Sequence, residues 1–143
     1  MTDRETLFAA SAGEPAKARR SLRVLVVDDD RDSALSLMML LRDEGHDVRA
    51  VYTGRAVMGA VLDFDPDALV LDIHLPDLSG WEVARHLRQR RGRDRPFVIG
   101  VSGEYKQGAD RILAQIIGFD HYVLKPYDPG TLLALLDPLG LSN

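Results

Sequence analysis

The chain contains no cysteine, which excludes disulfides and thiolate metal sites and fits a reducing compartment. It contains no apolar run approaching the roughly 18 residues of a membrane-crossing helix. It carries no excess of basic charge: 18 Lys and Arg stand against 22 Asp and Glu, a net charge of -4. That balance gives no global electrostatic attraction to nucleic acid or to an anionic membrane. The opening Met1-Thr2-Asp3-Arg4-Glu5 bears acids and lacks the apolar stretch of a secretory signal. The histidines, His46, His74, His86 and His121, lack metal-ligand spacing. What is present is ordinary globular material: 143 residues, 45% hydrophobic and 28% charged, enough for one domain with a real core. The expectation is a soluble, cytoplasmic protein with neither nucleic acid nor membrane as a direct partner.

Residues 1–20 are rich in Ala, Glu, Arg, Ser and Gly, with only Leu7 and Phe8 as large apolar side chains. They are expected to form a flexible tail, with a short helix around Thr6–Ser11 as an option, and residues 21–143 a single domain. Ordered structure should begin near Leu22. From there short runs rich in Val, Leu and Ile (Leu22–Val27, Val48–Tyr52, Ala68–Leu71, Phe97–Val101, Tyr122–Leu124) alternate with amphipathic stretches (Ser33–Asp43, Gly54–Phe64, Trp81–Arg90, Ala109–Ile117, Pro129–Leu136). Runs that do not alternate strictly suit strands buried on both faces. Gly45 is a helix stop, Asp128-Pro129 an N-cap with proline at the first helical position, and Phe64-Asp65-Pro66-Asp67 a breaker. Five strand–helix units predict an α/β fold: a doubly wound five-stranded parallel sheet, flavodoxin-like, in strand order 2-1-3-4-5.

In such sheets the functional site lies beyond the carboxyl ends of the strands. The first strand is followed by Asp28, Asp29 and Asp30, the third by Asp72, the fourth by Ser102 and the fifth by Lys125-Pro126. Carboxylates converging in a small space repel unless a cation neutralises them. An oxygen-only ligand set with open positions favours Mg²⁺, a hard ion that bridges carboxylate and phosphate. A carboxylate can attack phosphorus to form an acyl phosphate, and a metal, an ammonium and a hydroxyl can offset charge on the phosphoryl oxygens. An isolated Asp at a strand end is usually a helix cap, which suits Asp30 or Asp32; no capping role needs Asp28, Asp29 and Asp72 together.

Four segments resemble one family. Val24-Leu25-Val26-Val27-Asp28-Asp29-Asp30 resembles the opening of a two-component response-regulator receiver (CheY-like) domain. Leu71-Asp72 through Ser79-Gly80 resembles its phosphorylation segment, with Pro76 four residues and Gly80 eight residues after Asp72. Val101-Ser102-Gly103 and Tyr122-Val123-Leu124-Lys125-Pro126 resemble the hydroxyl and lysine–proline motifs. The resemblance spans about Leu22–Leu136. It implies Asp72 as phosphoacceptor, with Ser102 and Lys125 assisting. Asp28, Asp29, Asp72 and the backbone carbonyl of His74 would hold Mg²⁺, Asp28 mostly through water. Ser102 and Tyr122 would form the switch, and the Lys125–Pro126 peptide would be cis. The donor would be a histidine kinase or histidine phosphotransfer protein, and the readout would pass through the fourth helix, fifth strand and fifth helix to a downstream protein target. The chain would be no enzyme in the ordinary sense, beyond self-catalysed phosphoryl acceptance and slow autodephosphorylation.

The sequence departs from the family at His74, Gly103 and Glu104, positions that bear on phosphoryl lifetime and on the loop after Ser102. The run Arg88-Gln89-Arg90-Arg91-Gly92-Arg93-Asp94-Arg95 lacks interleaved aromatics and reads as a solvated loop rather than an RNA site. Met38 and Met39 are expected in or near the core, and Trp81 packed at the start of the third helix. A haloacid-dehalogenase-like phosphatase is the enzyme rival, through the Asp-x-Asp of residues 28–30, but it leaves Asp72 and Pro76 unused. A receiver that signals without phosphorylation is the binding-module rival. The segments Gly118–His121 and Asp128–Leu136 also resemble receivers of hybrid kinases, so a stand-alone regulator and a piece of a larger protein both stay open.

Overall fold

A computed structural model describes residues 20–92, 95–103 and 107–140. Strands β1 (Arg23–Val27), β2 (Asp47–Val51), β3 (Ala68–Asp72), β4 (Phe97–Ser102) and β5 (His121–Leu124) form one parallel sheet in the order β2-β1-β3-β4-β5. Helices α1 (Arg31–Asp43), α2 (Val57–Phe64), α3 (Gly80–Arg91), α4 (Gln107–Ile117) and α5 (Pro129–Gly140) make the crossovers. This is the expected doubly wound sheet, with each strand within one residue of its expected ends.

Alternation along each strand divides the core in two. Leu25, Val27, Leu69, Leu71 and Val98 pack with α2, α3, Ala114 of α4 and Phe119. Val24, Val26, Val70, Ile99 and Val101 face the other way, against α1 and α5. Every residue of β3, including Asp72, is buried, as the centre of a sheet covered on both faces requires. Full burial of each such Leu or Val is worth about 1.5–3 kcal/mol.

Local chemistry sets the helix ends. Asp30 caps α1, accepting from the Asp32 N–H at 3.1 Å and the Ser33 hydroxyl at 3.0 Å. Gly45, at φ +92°, ends that helix, donating to Arg42 O while His46 N donates to Leu41 O, a Schellman closure. Ser79 caps α3, and Asp128 accepts from Gly130 N in the first turn of α5. Helix α2 starts three residues later than the pattern predicts; ahead of it the N–H groups of Gly54 and Arg55 donate to the Asp77 carboxylate at 2.7 and 2.9 Å, and Val57 N donates to Gly54 O at 3.2 Å in a turn.

Three expectations need correction. Met38 packs against the core, but Met39 on the neighbouring helical direction is 59% exposed. The basic run is not simply solvated: the Arg88 side chain is buried and donates to Gly118 O, Pro96 O and the Asp120 carboxylate, while Arg91 and Arg95 pair with Asp65. Residues 1–19 of the expected tail lie outside the described residues, but Arg20 does not belong with a tail. Its N–H donates to Gly140 O at 2.7 Å, and its guanidinium reaches Asp67 at 3.5 Å. Among the described residues no helix is long and apolar enough to cross a membrane.

Candidate functional site

The carboxyl ends of β1, β3, β4 and β5 bring the expected groups to one edge of the sheet. Asp28 directly follows β1 and is buried; its Oδ1 accepts from Asp30 N at 3.0 Å. Asp72 closes β3, also buried, and its Oδ1 accepts from His74 N at 3.0 Å. Asp29 is exposed. One carboxylate oxygen from each of Asp28, Asp29 and Asp72 lies within 4.8 Å of the others, and among the described residues no other group of this kind occurs.

Lys125 follows β5, and its Nζ stands 3.5 Å from Oδ2 of Asp28 and 3.5 Å from Oδ2 of Asp72. Two backbone bonds fix these strand ends: Lys125 N to Ser102 O at 2.7 Å, and Ile73 N to Val101 O at 2.9 Å. The Lys125–Pro126 peptide is cis, as the resemblance implies. Ser102, the last residue of β4, is 2% exposed and pairs in register with Leu124.

Charge is not balanced evenly. Burial opposes the Lys125 ammonium, yet Asp72 and Asp28 outweigh it and hold its pKa above the ordinary lysine value. Asp28 does not gain in the same way. Burial raises its pKa, Asp72 adds to the rise, and the Asp30 N–H and Lys125 compensate only in part. The two partners of one ion pair thus shift in the same direction, because burial, with Asp72 adding to it, outweighs the pull of Lys125 on Asp28, while Lys125 faces two carboxylates. One ammonium against three carboxylates leaves a negative excess in a partly buried, oxygen-only setting. Those donors fit a small hard dication.

Glycine makes one close approach possible here. A Cβ on Gly80 would sit 2.6 Å from Asp72 O and 2.7 Å from Ile73 Cα, while Gly80 N donates to Ile73 O at 2.8 Å. The start of α3 is therefore laid directly on the backbone of Asp72. Asp77 ties the same loop to the one after β2, and its two accepted N–H groups hold its pKa low against the effect of burial.

Tyr122 does not join the acids. It pairs in register with Gly100 and stacks on Trp81, with centroids 5.9 Å apart. The His74 N–H is engaged with Asp72, Gly103 is exposed with open space where a Cβ would go, and Glu104 lies outside the described residues. A groove of about 830 Å³ runs from Asp28 and Lys125 between α1 (Leu37, Leu40) and the segment Pro126–Pro129. Two residues, Asp77 and Arg88, stand out only in the structure. An Asp beside Pro76 in a turn is a generic signal for the first, and nothing local marks the second.

Comparison with known proteins agrees with this geometry. Residues 24–137 match the family described as the response regulator receiver domain. The transcriptional regulatory protein TcrA of Mycobacterium tuberculosis is 36% identical over 140 residues, 97% of this chain and 54% of that protein. The DNA-binding response regulator MtrA of Mycobacterium leprae is 37% identical over 112 residues, 78% of this chain and 48% of that protein. A CheY-like receiver from Methanospirillum hungatei superposes with a TM-score of 0.76 at 26% identity, covering 83% of this chain and 93% of that one. A Francisella receiver domain shares the fold, with a TM-score of 0.77 at 24% identity over 83% and 96% of the two chains.

The chain belongs to the response regulator receiver family, the phosphoacceptor switches of two-component systems. It spans about half the length of the curated relatives it matches. The phosphatase rival falls with that assignment.

Proposed function

We propose that Asp72 accepts a phosphoryl group from a phosphohistidine on a histidine kinase or phosphotransfer partner. The observation that carries this reading is the placement of Lys125 Nζ at 3.5 Å from both Asp28 and Asp72 beside a third carboxylate. An Asp72 oxygen attacks phosphorus as the phosphorus–nitrogen bond breaks, and the electron pair returns to the imidazole nitrogen, which ends neutral after proton exchange with solvent. The bond from His74 N to Asp72 Oδ1 orients the carboxylate for that attack. Lys125 pairs with a phosphoryl oxygen, and the Ser102 hydroxyl donates to another.

Asp28, Asp29, Asp72 and the carbonyl of His74 would hold Mg²⁺, which when bound supplies positive charge to offset that of the transferring group. Phosphorylation then biases two conformations in which Ser102 and Tyr122 differ, and α4, β5 and α5 carry the change to a downstream protein. Two relatives named for transcription or DNA binding, each about twice the length covered here, support an output module of that kind as the target, whether in the same polypeptide or in a partner.

Incubation with a small phosphodonor and Mg²⁺, followed by intact mass, tests the assignment. The wild type should gain one phosphoryl group and Asp72→Asn none. An adduct persisting in Asp72→Asn would overturn it.

A further inference from the structure

Helix α3 holds the segment before and within β5 at two points. At its C-terminal end Arg88 donates to Gly118 O at 2.8 Å and to Asp120 Oδ2 at 3.0 Å, and the same Oδ2 accepts from Val98 N at 2.7 Å. Seven residues earlier, on the same helical stripe, Trp81 meets Phe119 edge-on at 5.2 Å and lies over Tyr122 at 5.9 Å and 22°. Phe119 in turn occupies the space over Gly100, where a Cβ would come within 2.7 Å of its ring. Gly100 lies two residues before Ser102 on β4 and pairs with Tyr122. An aromatic stack therefore joins α3 to the two strands that carry the switch pair.

The two contacts differ in kind. Arg88 is a buried guanidinium bound to carbonyls and a carboxylate, a fixed attachment. The contact of Trp81 with Tyr122 is an offset ring stack on a partly buried side chain, and it can be exchanged for another position of Tyr122 without leaving a polar group unpaired. Arg88 anchors the strand while the stack holds the ring.

We propose that Trp81 is a positioning residue for the switch: it sets the ratio between the stacked position of Tyr122 and the one adopted when Asp72 is phosphorylated. This rests on the assignment of Asp72 as acceptor and Tyr122 as switch aromatic. Removing a stabilising contact from one of two states shifts the population toward the other. A ring stack of this kind corresponds to a shift of about two- to twelvefold in the population ratio.

Trp81 is the sole tryptophan of the chain and so reports its own contact. Beryllofluoride with Mg²⁺ should change its emission in the wild type, leave it unchanged in Asp72→Asn, and leave it unchanged in Tyr122→Ala, although Tyr122→Ala still takes up a phosphoryl group by mass. In amide NMR spectra of the unphosphorylated protein, Trp81→Leu should move Tyr122 and Ser102 toward their phosphorylated positions, and Trp81→Phe should restore most of the wild-type positions. A phosphorylated wild type with unaltered emission, an emission change that survives in Tyr122→Ala, or Trp81→Leu amides that stay at the wild-type positions would overturn the proposal. Absence of any adduct in the wild type would instead overturn the acceptor assignment on which it rests.

Discussion

Lys125 and Asp72 stand at the ends of strands that are not neighbours: β4 runs between β3 and β5, yet Nζ and Oδ2 come within 3.5 Å. The long lysine stem reaches across the end of β4, past Ser102, to find its carboxylates. A shorter or differently directed cation on β5 would miss them.

Removal of that cation should slow phosphoryl transfer without changing the acceptor. Lys125→Ala is expected to lower the rate of phosphorylation by a small donor by about 10²-fold, the usual scale for losing one charge-stabilising donor. Mass-resolved time courses against wild type check it. A rate within twofold of wild type would remove Lys125 from the mechanism.

Asp28 should destabilise the fold at neutral pH. Its folded pKa is raised by burial and by Asp72, so between the unfolded and folded values the native state binds more protons than the unfolded one. Stability from this group therefore falls as pH rises through that window, opposite to a salt-bridged aspartate. Asp28→Asn keeps the acceptor for Asp30 N and should raise Tm at pH 7 by a few degrees. The gain should shrink below the ordinary aspartate pKa. Mg²⁺ should stabilise the wild type more than the variant, because binding to the native state alone adds to its stability. Thermal melts across pH, with and without Mg²⁺, give both readouts.

Gly80 should tolerate no side chain. In Gly80→Ala the new methyl meets the backbone of Asp72 and Ile73, which neither can yield cheaply. The expected cost is about 1–3 kcal/mol, the range for overpacking. Phosphorylation should slow as well, since the start of α3 is pushed away from the acceptor. Urea denaturation measures the first effect and donor time courses the second.

Arg88→Met should cost about 2 kcal/mol by urea denaturation, below the roughly 3–5 kcal/mol of a fully buried pair, because Asp120 is 33% exposed. Arg90→Met, an exposed neighbour in the same run, should fall within about 0.5 kcal/mol of wild type. Equal effects from the two would show that Arg88 is no more than a surface charge.

This contrast marks where the sequence was legible. The acids, Ser102 and Lys125 were readable because a parallel sheet sends the residue after each strand to one edge, so position in sequence fixes position in space. Arg88 was not, because its partners Gly118 and Asp120 lie 30 and 32 residues away and a basic run is read by its charge alone. Met38 and Met39 looked alike by composition, but adjacent helical residues point about 100° apart, and only one can face the core. Gly80 was visible as a motif position; its reason, a helix resting on the Asp72 carbonyl, required coordinates.

The backbone bond between Arg20 and Gly140 has a consequence for signalling. It fastens the residues that lead into β1 to the end of α5, at the pole opposite the acids. The five residues of β1 separate that clasp from Asp28, about 16 Å of strand. A body held tightly against the clasp would therefore sense events at the acids through the sheet and its flanking helices rather than by touching them.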